Sequence, residues 1–228
     1  MKKNELETKT GIGVDPDFYK NLPSAIDLAA KFPEDIDNTG KPALRIGFIG
    51  ANSTGKTTLS NKIAPILGIP VLHETASVVV GDLKMLGHSK ATCETQLAIY
   101  FGQLWAELSF NRFVSDRTLL DTVAHTEPAY DALIAQGDEG ARYVCNSLSH
   151  AMSVHIKQTY DAIFYLPIEF EPVDDGFRDC DFEFQTLLDS KISSLIERFE
   201  IDVIELRGSI DDRLQTALDY VNQNCIKA

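Results

Sequence analysis

The sequence predicts an α/β sandwich in which a five-stranded, mainly parallel sheet carries helices on both faces. Two observations predict it. From Ala43 onward, short apolar runs alternate with longer segments whose apolar residues recur at helical spacing, as strands buried between two helical layers require. The first apolar run also leads straight into a glycine-bounded stretch, Gly50-Ala51-Asn52-Ser53-Thr54-Gly55-Lys56-Thr57, which opens a helix carrying Leu59 and Ile63.

Five strands are expected, at Leu44–Ile49, Val71–His73, Phe113–Ser115, Ile163–Leu166 and Val203–Leu206. Between the second and third, Leu97, Tyr100, Phe101, Leu104 and Leu108 share one helical stripe, expected in the core, with Glu94, Gln103 and Glu107 on other faces. Phe184, Leu187, Leu188, Ile192, Leu195 and Phe199 repeat that spacing, as do Leu214, Ala217, Leu218 and Val221, which predicts two further packing helices. Asp138-Glu139-Gly140 reads as a loop between helices. Residues 1–42 read as a polar N-terminal extension punctuated by Pro16, Pro23 and Pro33, and residues 43–228 as the domain.

A chain of 228 residues, 44% hydrophobic and 24% charged, can bury one full core. Its formal charge of −13 disfavours a protein that grips a nucleic-acid backbone by bulk electrostatics, while leaving room for a local basic pocket. Cys93, Cys145, Cys180 and Cys225 stand far apart without a CxxC pair and read as reduced structural thiols. The N-terminus lacks the apolar run of a signal peptide and no stretch reaches bilayer-spanning length, so a cytoplasmic protein without membrane contact is expected. Nothing in the sequence sets an oligomeric state.

A strand, a glycine turn and a helix N-terminus in that order are the context of a P-loop, and the fold expected is the three-layer P-loop NTPase sandwich. A triphosphate is highly charged, so such a loop must aim several backbone N–H groups at its oxygens. Gly50 and Gly55 permit the curvature, and the helix dipole adds to it. Gly50 to Thr58 are therefore the expected nucleotide-binding residues. Lys56 reaches the outer phosphates, the Thr57 hydroxyl is the expected ligand of a magnesium ion, and Thr58 lies close to the inner phosphate.

Other candidates sit where strands end, because ligands of doubly wound sheets lie beyond the carboxyl ends of the strands. Asp116, closing the third strand, can hold hydrated magnesium or take a proton from an attacking hydroxyl, and Arg117 can steady a phosphate or the acceptor. Asp121, on the following helix, either reaches the same cleft or is exposed. Glu74, after the second strand, is a second acceptor-binding carboxylate or general base, or else a helix cap. Val173 to Asp179 read as a mobile lid whose Arg178 closes onto the transferring phosphoryl. Leu206-Arg207-Gly208-Ser209 lies where a base can stack beside the cradle.

With these residues in view, the chain resembles the P-loop kinase-like family with AAA-type ATP-binding domains, which includes the nicotinamide-riboside kinase domain of bacterial NAD-biosynthesis regulators and many phage nucleotide kinases. The resemblance runs from about Leu44 to Arg213. It rests on GANSTGKTTL at Gly50 to Leu59, HET at His73 to Thr75, SDRTLLD at Ser115 to Asp121, YDAIFYLP at Tyr160 to Pro167 and DGFRDCDFEFQ at Asp175 to Gln185. It implies phosphoryl transfer from ATP to a hydroxyl, with Asp116 and Arg117 in the place of the kinases' Asp-Arg motif and Arg178 as lid arginine. The family often has an arginine three residues after the glutamate of the second strand, where this chain has Ser77.

Three readings follow. The first is a kinase of a nucleoside, nucleotide or related small molecule. The second is a kinase of a modified base, 5-hydroxymethyluracil in phage DNA, which net charge disfavours. The third, from another class, is an ATPase or nucleotide-dependent switch, for which no water-positioning residue stands out in the sequence.

Overall fold

Along strand β1 (Leu44–Ile49), alternate side chains enter two different cores, which sets the layers of the molecule. Leu44, Ile46 and Phe48 pack with Leu59, Ile63 and Ala64 of α1 (Lys56–Leu67) and with Ala217 and Val221 of α6 (Ile210–Asn224). Ile49 enters the other core, with Tyr100 of α2 (Cys93–Ser109), Leu120 and Val123 of α3 (Leu119–Ala135), Met152 and Ile156 of α4 (Glu139–Thr159), and Ile192 and Leu195 of α5 (Phe182–Phe199). The structure, a computed structural model, describes residues 42–73, 75, 93–169 and 182–226. The expected extension up to Lys41, Glu74, and the segment with Arg178 lie outside those residues.

The sheet holds β1 with β2 (Val71–Leu72), β3 (Arg112–Ser115), β4 (Ala162–Tyr165) and β5 (Ile204–Glu205), in the order β2-β3-β1-β4-β5. All four pairings are parallel, which brings every strand's carboxyl end to one edge. Sequence reading placed four of the five strands one residue off at one or both ends. The ladder explains part of this, since Leu166 N–H bonds Ile49 O and Leu206 N–H bonds Tyr165 O just past the assigned strands. Among the described residues, no helix is long and apolar enough to cross a membrane.

Two expectations need correction. The stripe on α2 does not lie wholly in the core: Phe101 and Leu108 are 58% and 63% exposed, whereas Gln103 and Glu107 are buried with Tyr100. Gln103 and Glu107 are in phase with Tyr100, and they find partners inside that offset the cost of removing polar groups from water. Asp138-Glu139-Gly140 is likewise a helix start: Asp138 is the N-cap, its carboxylate accepting from Ala141 N–H at 2.9 Å, and α4 begins at Glu139. On α5, Phe184 and Leu187 stand out at the surface while Leu188, Ile192 and Leu195 are buried.

At the centre of β1, Gly47 lets two layers approach. A Cβ there would lie 2.6 Å from Thr118 Cγ2 and 2.8 Å from Tyr160 Cε1. Gly47→Ala is therefore expected to destabilise the fold by about 1–3 kcal/mol, through overpacking of the kind that forces side chains off their rotamers. Urea denaturation measures it, and an alanine variant as stable as the parent chain would show that the approach is looser than described.

Candidate active site

The loop leaving β1 curves because Gly50 takes a φ of +150°, and no other residue fits there: a Cβ would come within 2.5 Å of Leu166 O. Ser53 follows with a φ of 60°, the left-handed region, so the chain turns back on itself before α1. Four carbonyls of this turn are held by side-chain donors. Lys56 Nζ donates to Gly50 O at 2.7 Å and Ala51 O at 2.6 Å. Gln185 Nε2, from α5, donates to Asn52 O at 2.6 Å, and Arg213 Nη1, from α6, donates to Thr54 O at 2.8 Å.

In a trans peptide the C=O of one residue and the N–H of the next point oppositely. No peptide in the described residues is cis, so clamping Asn52 O and Thr54 O turns the N–H groups of Ser53 and Gly55 away from Gln185 and Arg213. The loop thus presents donors on the side opposite its braces, beside the start of α1, which suits an anion. Thr57 and Thr58 are exposed on the first turn of that helix, and Lys56 is buried beneath them.

Asp116 sits where sequence reading put it. Its N–H bonds Leu72 O, which fixes the backbone to the end of β2, and its carboxylate is 4% exposed. Thr57 Oγ1 donates to Asp116 Oδ2 at 2.8 Å, while Asp116 Oδ1 is buried without a hydrogen-bond partner among the described residues. A buried carboxylate oxygen left unmatched beside a helix-start hydroxyl is the donor set a hard cation takes, and so these two residues fit magnesium. Arg117 is pinned to the loop, Nη2 donating to Asn52 Oδ1 at 2.9 Å and Nη1 lying 3.1 Å from His125 Nε2.

Asp121 has a different task from Asp116. It is 1% exposed, Oδ1 accepts from Gly50 N–H at 3.1 Å, and Oδ2 accepts from Thr118 N–H at 2.9 Å in a capping box that starts α3. Burial raises its carboxyl above the usual range, against the lowering pull of Lys56, Arg117 and the two N–H groups. Of the two readings of Asp121, the exposed one is therefore wrong.

Three residues that hold the site were not singled out from the sequence. Gln185 and Arg213 brace the loop, and Glu169 accepts from Arg213 Nη2 and, at 3.0 Å, from Gly208 N–H. Both braces carried a signal: Arg213 is in phase with Ala217 and Val221, and Gln185 with Leu188, Ile192 and Leu195, so each polar side chain stands on a buried stripe. Arg207, expected beside a stacked base, pairs with Glu169 and Glu205. Behind the loop, Tyr165 donates to Asp189 at 2.8 Å, and burial pushes the tyrosine up to about 12.

The family model described as AAA domain matches residues 45–213. The chain belongs to that family. Among curated proteins no sequence match is found. Solved structures similar to this AAA-domain chain include deoxyadenosine kinase from M. mycoides, at 15% identity and a TM-score of 0.57 over 79% of this chain and 99% of that one. Thymidylate kinase from Candida albicans aligns at 14% identity and 0.53, over 80% of this chain and 92% of that one. NadR protein in complex with NR aligns at 18% identity and 0.61 over 81% of this chain, which spans about half, 52%, of the NadR chain. At such identities the likeness shows a shared fold, a P-loop kinase-type α/β sandwich.

Partial burial on its own would raise Glu169, yet hydrogen bonds from Arg213 and Gly208 and the nearby arginine charges hold it below the usual glutamate range. A lowered folded-state pKa contributes stability that is present above the unfolded value and lost as pH falls through the folded one. Glu169→Gln is expected to melt lower than the parent chain at pH 7, and the gap should narrow as pH falls below the ordinary glutamate range. Melting curves across that range check it; a gap that persists in acid would mean the carboxylate charge is not what braces Arg213.

Proposed function

We propose that this chain transfers the γ-phosphoryl group of Mg-ATP to a hydroxyl of a nucleoside, nucleotide or related small molecule. The observation that carries the reading is the Thr57–Asp116 pair at the start of α1, with Asp116 Oδ1 unmatched among the described residues and Arg117 tied to the same loop. A bare phosphate cradle needs none of these, whereas phosphoryl transfer needs a cation site, a proton acceptor and a charge for the acceptor beside the phosphates. Two of the similar structures, a deoxyadenosine kinase and a thymidylate kinase, support the same class.

In this reading the N–H groups of Ser53 and Gly55 and the Lys56 ammonium bind the phosphates. Thr57 and Asp116 would hold magnesium, which when bound supplies charge to neutralise the phosphate oxygens. Arg117 orients the acceptor or its phosphate from a position fixed by Asn52 and His125. Asp121 keeps Gly50 and the start of α3 in register and so shapes the acceptor side. Asp116, or Glu74 in its place, receives the acceptor's proton, and Arg178 closes from the lid onto the transferring group. Proximity and charge do the work, since little covalent chemistry falls to the protein.

Label from γ-labelled ATP, offered with nucleosides, nucleoside monophosphates, nicotinamide riboside and hydroxymethylated DNA, is expected in one of the small-molecule acceptors. Label found only in free phosphate, whatever acceptor is supplied, would turn the reading to an ATPase or switch. Lys56→Ala and Asp116→Asn are each expected to lower turnover by roughly 10²–10⁴-fold with the fold retained, because both act on charge at the reacting centre, and Lys56→Ala should also melt lower because it removes two hydrogen bonds to loop carbonyls. Near-normal turnover in Asp116→Asn would assign the proton to Glu74.

A further inference from the structure

Helix α2 turns two polar side chains into the protein at a site the proposed reaction does not use. The Glu107 carboxylate is fully buried, and Oε1 accepts from Gln103 Nε2 at 2.8 Å and from Leu119 N–H at 3.0 Å. Its Oε2 lies 2.7 Å from His155 Nε2, and His155 Nδ1 lies 3.2 Å from Thr159 Oγ1. Gln103 Nε2 also donates to Arg117 O at 2.9 Å and approaches Ser115 Oγ at 3.3 Å, while its Oε1 accepts from Thr75 Oγ1 at 2.9 Å.

Leucine-sized side chains would fill the same space without the cost of taking a carboxylate and a carboxamide out of water. What the polar pair adds is a span. One carboxamide bonds Thr75, just past β2, and Arg117, just past β3, and the carboxylate beside it holds the first N–H of α3. Asp116 lies between the held residues Ser115 and Arg117, and Glu74 immediately precedes Thr75. The two strand ends that carry the candidate proton acceptors are therefore tied to one side chain, which is in turn locked by Glu107 and His155.

We propose that Gln103 and Glu107 are positioning residues for phosphoryl transfer, setting the separation of the Thr75 and Ser115–Thr118 segments and hence the acceptor geometry, while leaving the phosphate cradle alone. This inference rests on the proposed kinase reading. The loop carbonyls are held from α1, α5 and α6, and Asp121 of α3 holds only the Gly50 N–H, so disturbing α2 acts on the acceptor side first.

Gln103→Leu and Glu107→Gln test it in the full chain, with the acceptor found in the labelled-ATP screen. Turnover should fall about 10- to 100-fold, as expected when catalytic groups are displaced by about an ångström. ATP affinity, measured by titration calorimetry with an inert ATP analogue, should stay within about two-fold of the parent chain. Thr75→Val, which removes only one hydroxyl from the network, should lower turnover several-fold in the same pattern, and it decides the matter if the other two variants do not fold. Variants that turn over within about two-fold of the parent, or that lose ATP affinity in step with turnover, would overturn the positioning role. A parent chain that transfers label to no acceptor would overturn the kinase reading and this inference together, whereas an active parent with unaffected variants overturns the inference alone.

Discussion

The site depends on its loop carbonyls being gripped from behind. Gly50 to Thr54 have no repeating secondary structure to fix their peptides, and four hydrogen bonds from Lys56, Gln185 and Arg213 do so instead. Three of these four come from a cationic group, and hydrogen bonds with a charged partner contribute about 1.5–3 kcal/mol each, roughly twice the neutral kind. Because planar trans peptides tie each N–H to the carbonyl before it, holding one side of the loop orients the other. Arg213 can serve only because Glu169 balances it; a guanidinium that far from water would otherwise be costly.

A second consequence is the division of labour between two neighbouring carboxylates. Asp121 gives its oxygens to Gly50 and Thr118, so its chemistry is spent on holding the loop to α3. The carboxylate of Asp116, five residues earlier, has one partner among the described residues, Thr57, and one oxygen unmatched there. An overall charge of −13 coexists with Lys56, Arg117 and Arg213 gathered around one loop, so the field that an incoming phosphate meets is local. The α/β sandwich explains where that loop lies, and the side chains at the strand ends carry the rest, since fold and chemistry vary independently.

Much of this was legible in the sequence because it is local. Short apolar runs predict five strands, the strand, glycine turn and helix N-terminus predict the loop with Lys56 and Thr57, and the end of the third strand puts Asp116 at the same sheet edge. The helical faces were less legible. Reading apolar residues alone put Phe101 and Leu108 inside with Tyr100, when the buried phase is shared by Gln103 and Glu107. Gln185 and Arg213 follow the same rule, each a polar residue in register with a buried stripe. Their partners are carbonyls and carboxylates far along the chain, and no periodicity reports those. In this chain, polar residues that fall in step with the core mark the supports of the site.

The loop's supports also lie late in the chain. Gln185 follows the residue it grips by 133 positions and Arg213 by 159, and β1 is flanked by strands that begin at Arg112 and Ala162. During synthesis at about 5–20 residues per second, the glycine turn leaves the ribosome roughly ten to thirty seconds before its last support. Until then the peptides of the turn lack the hold that orients them, and a nucleotide has no finished cradle to enter. On the proposed reading, nucleotide would stabilise the chain only once Arg213 is in place, because ligand binding shifts only the equilibrium of the state that binds.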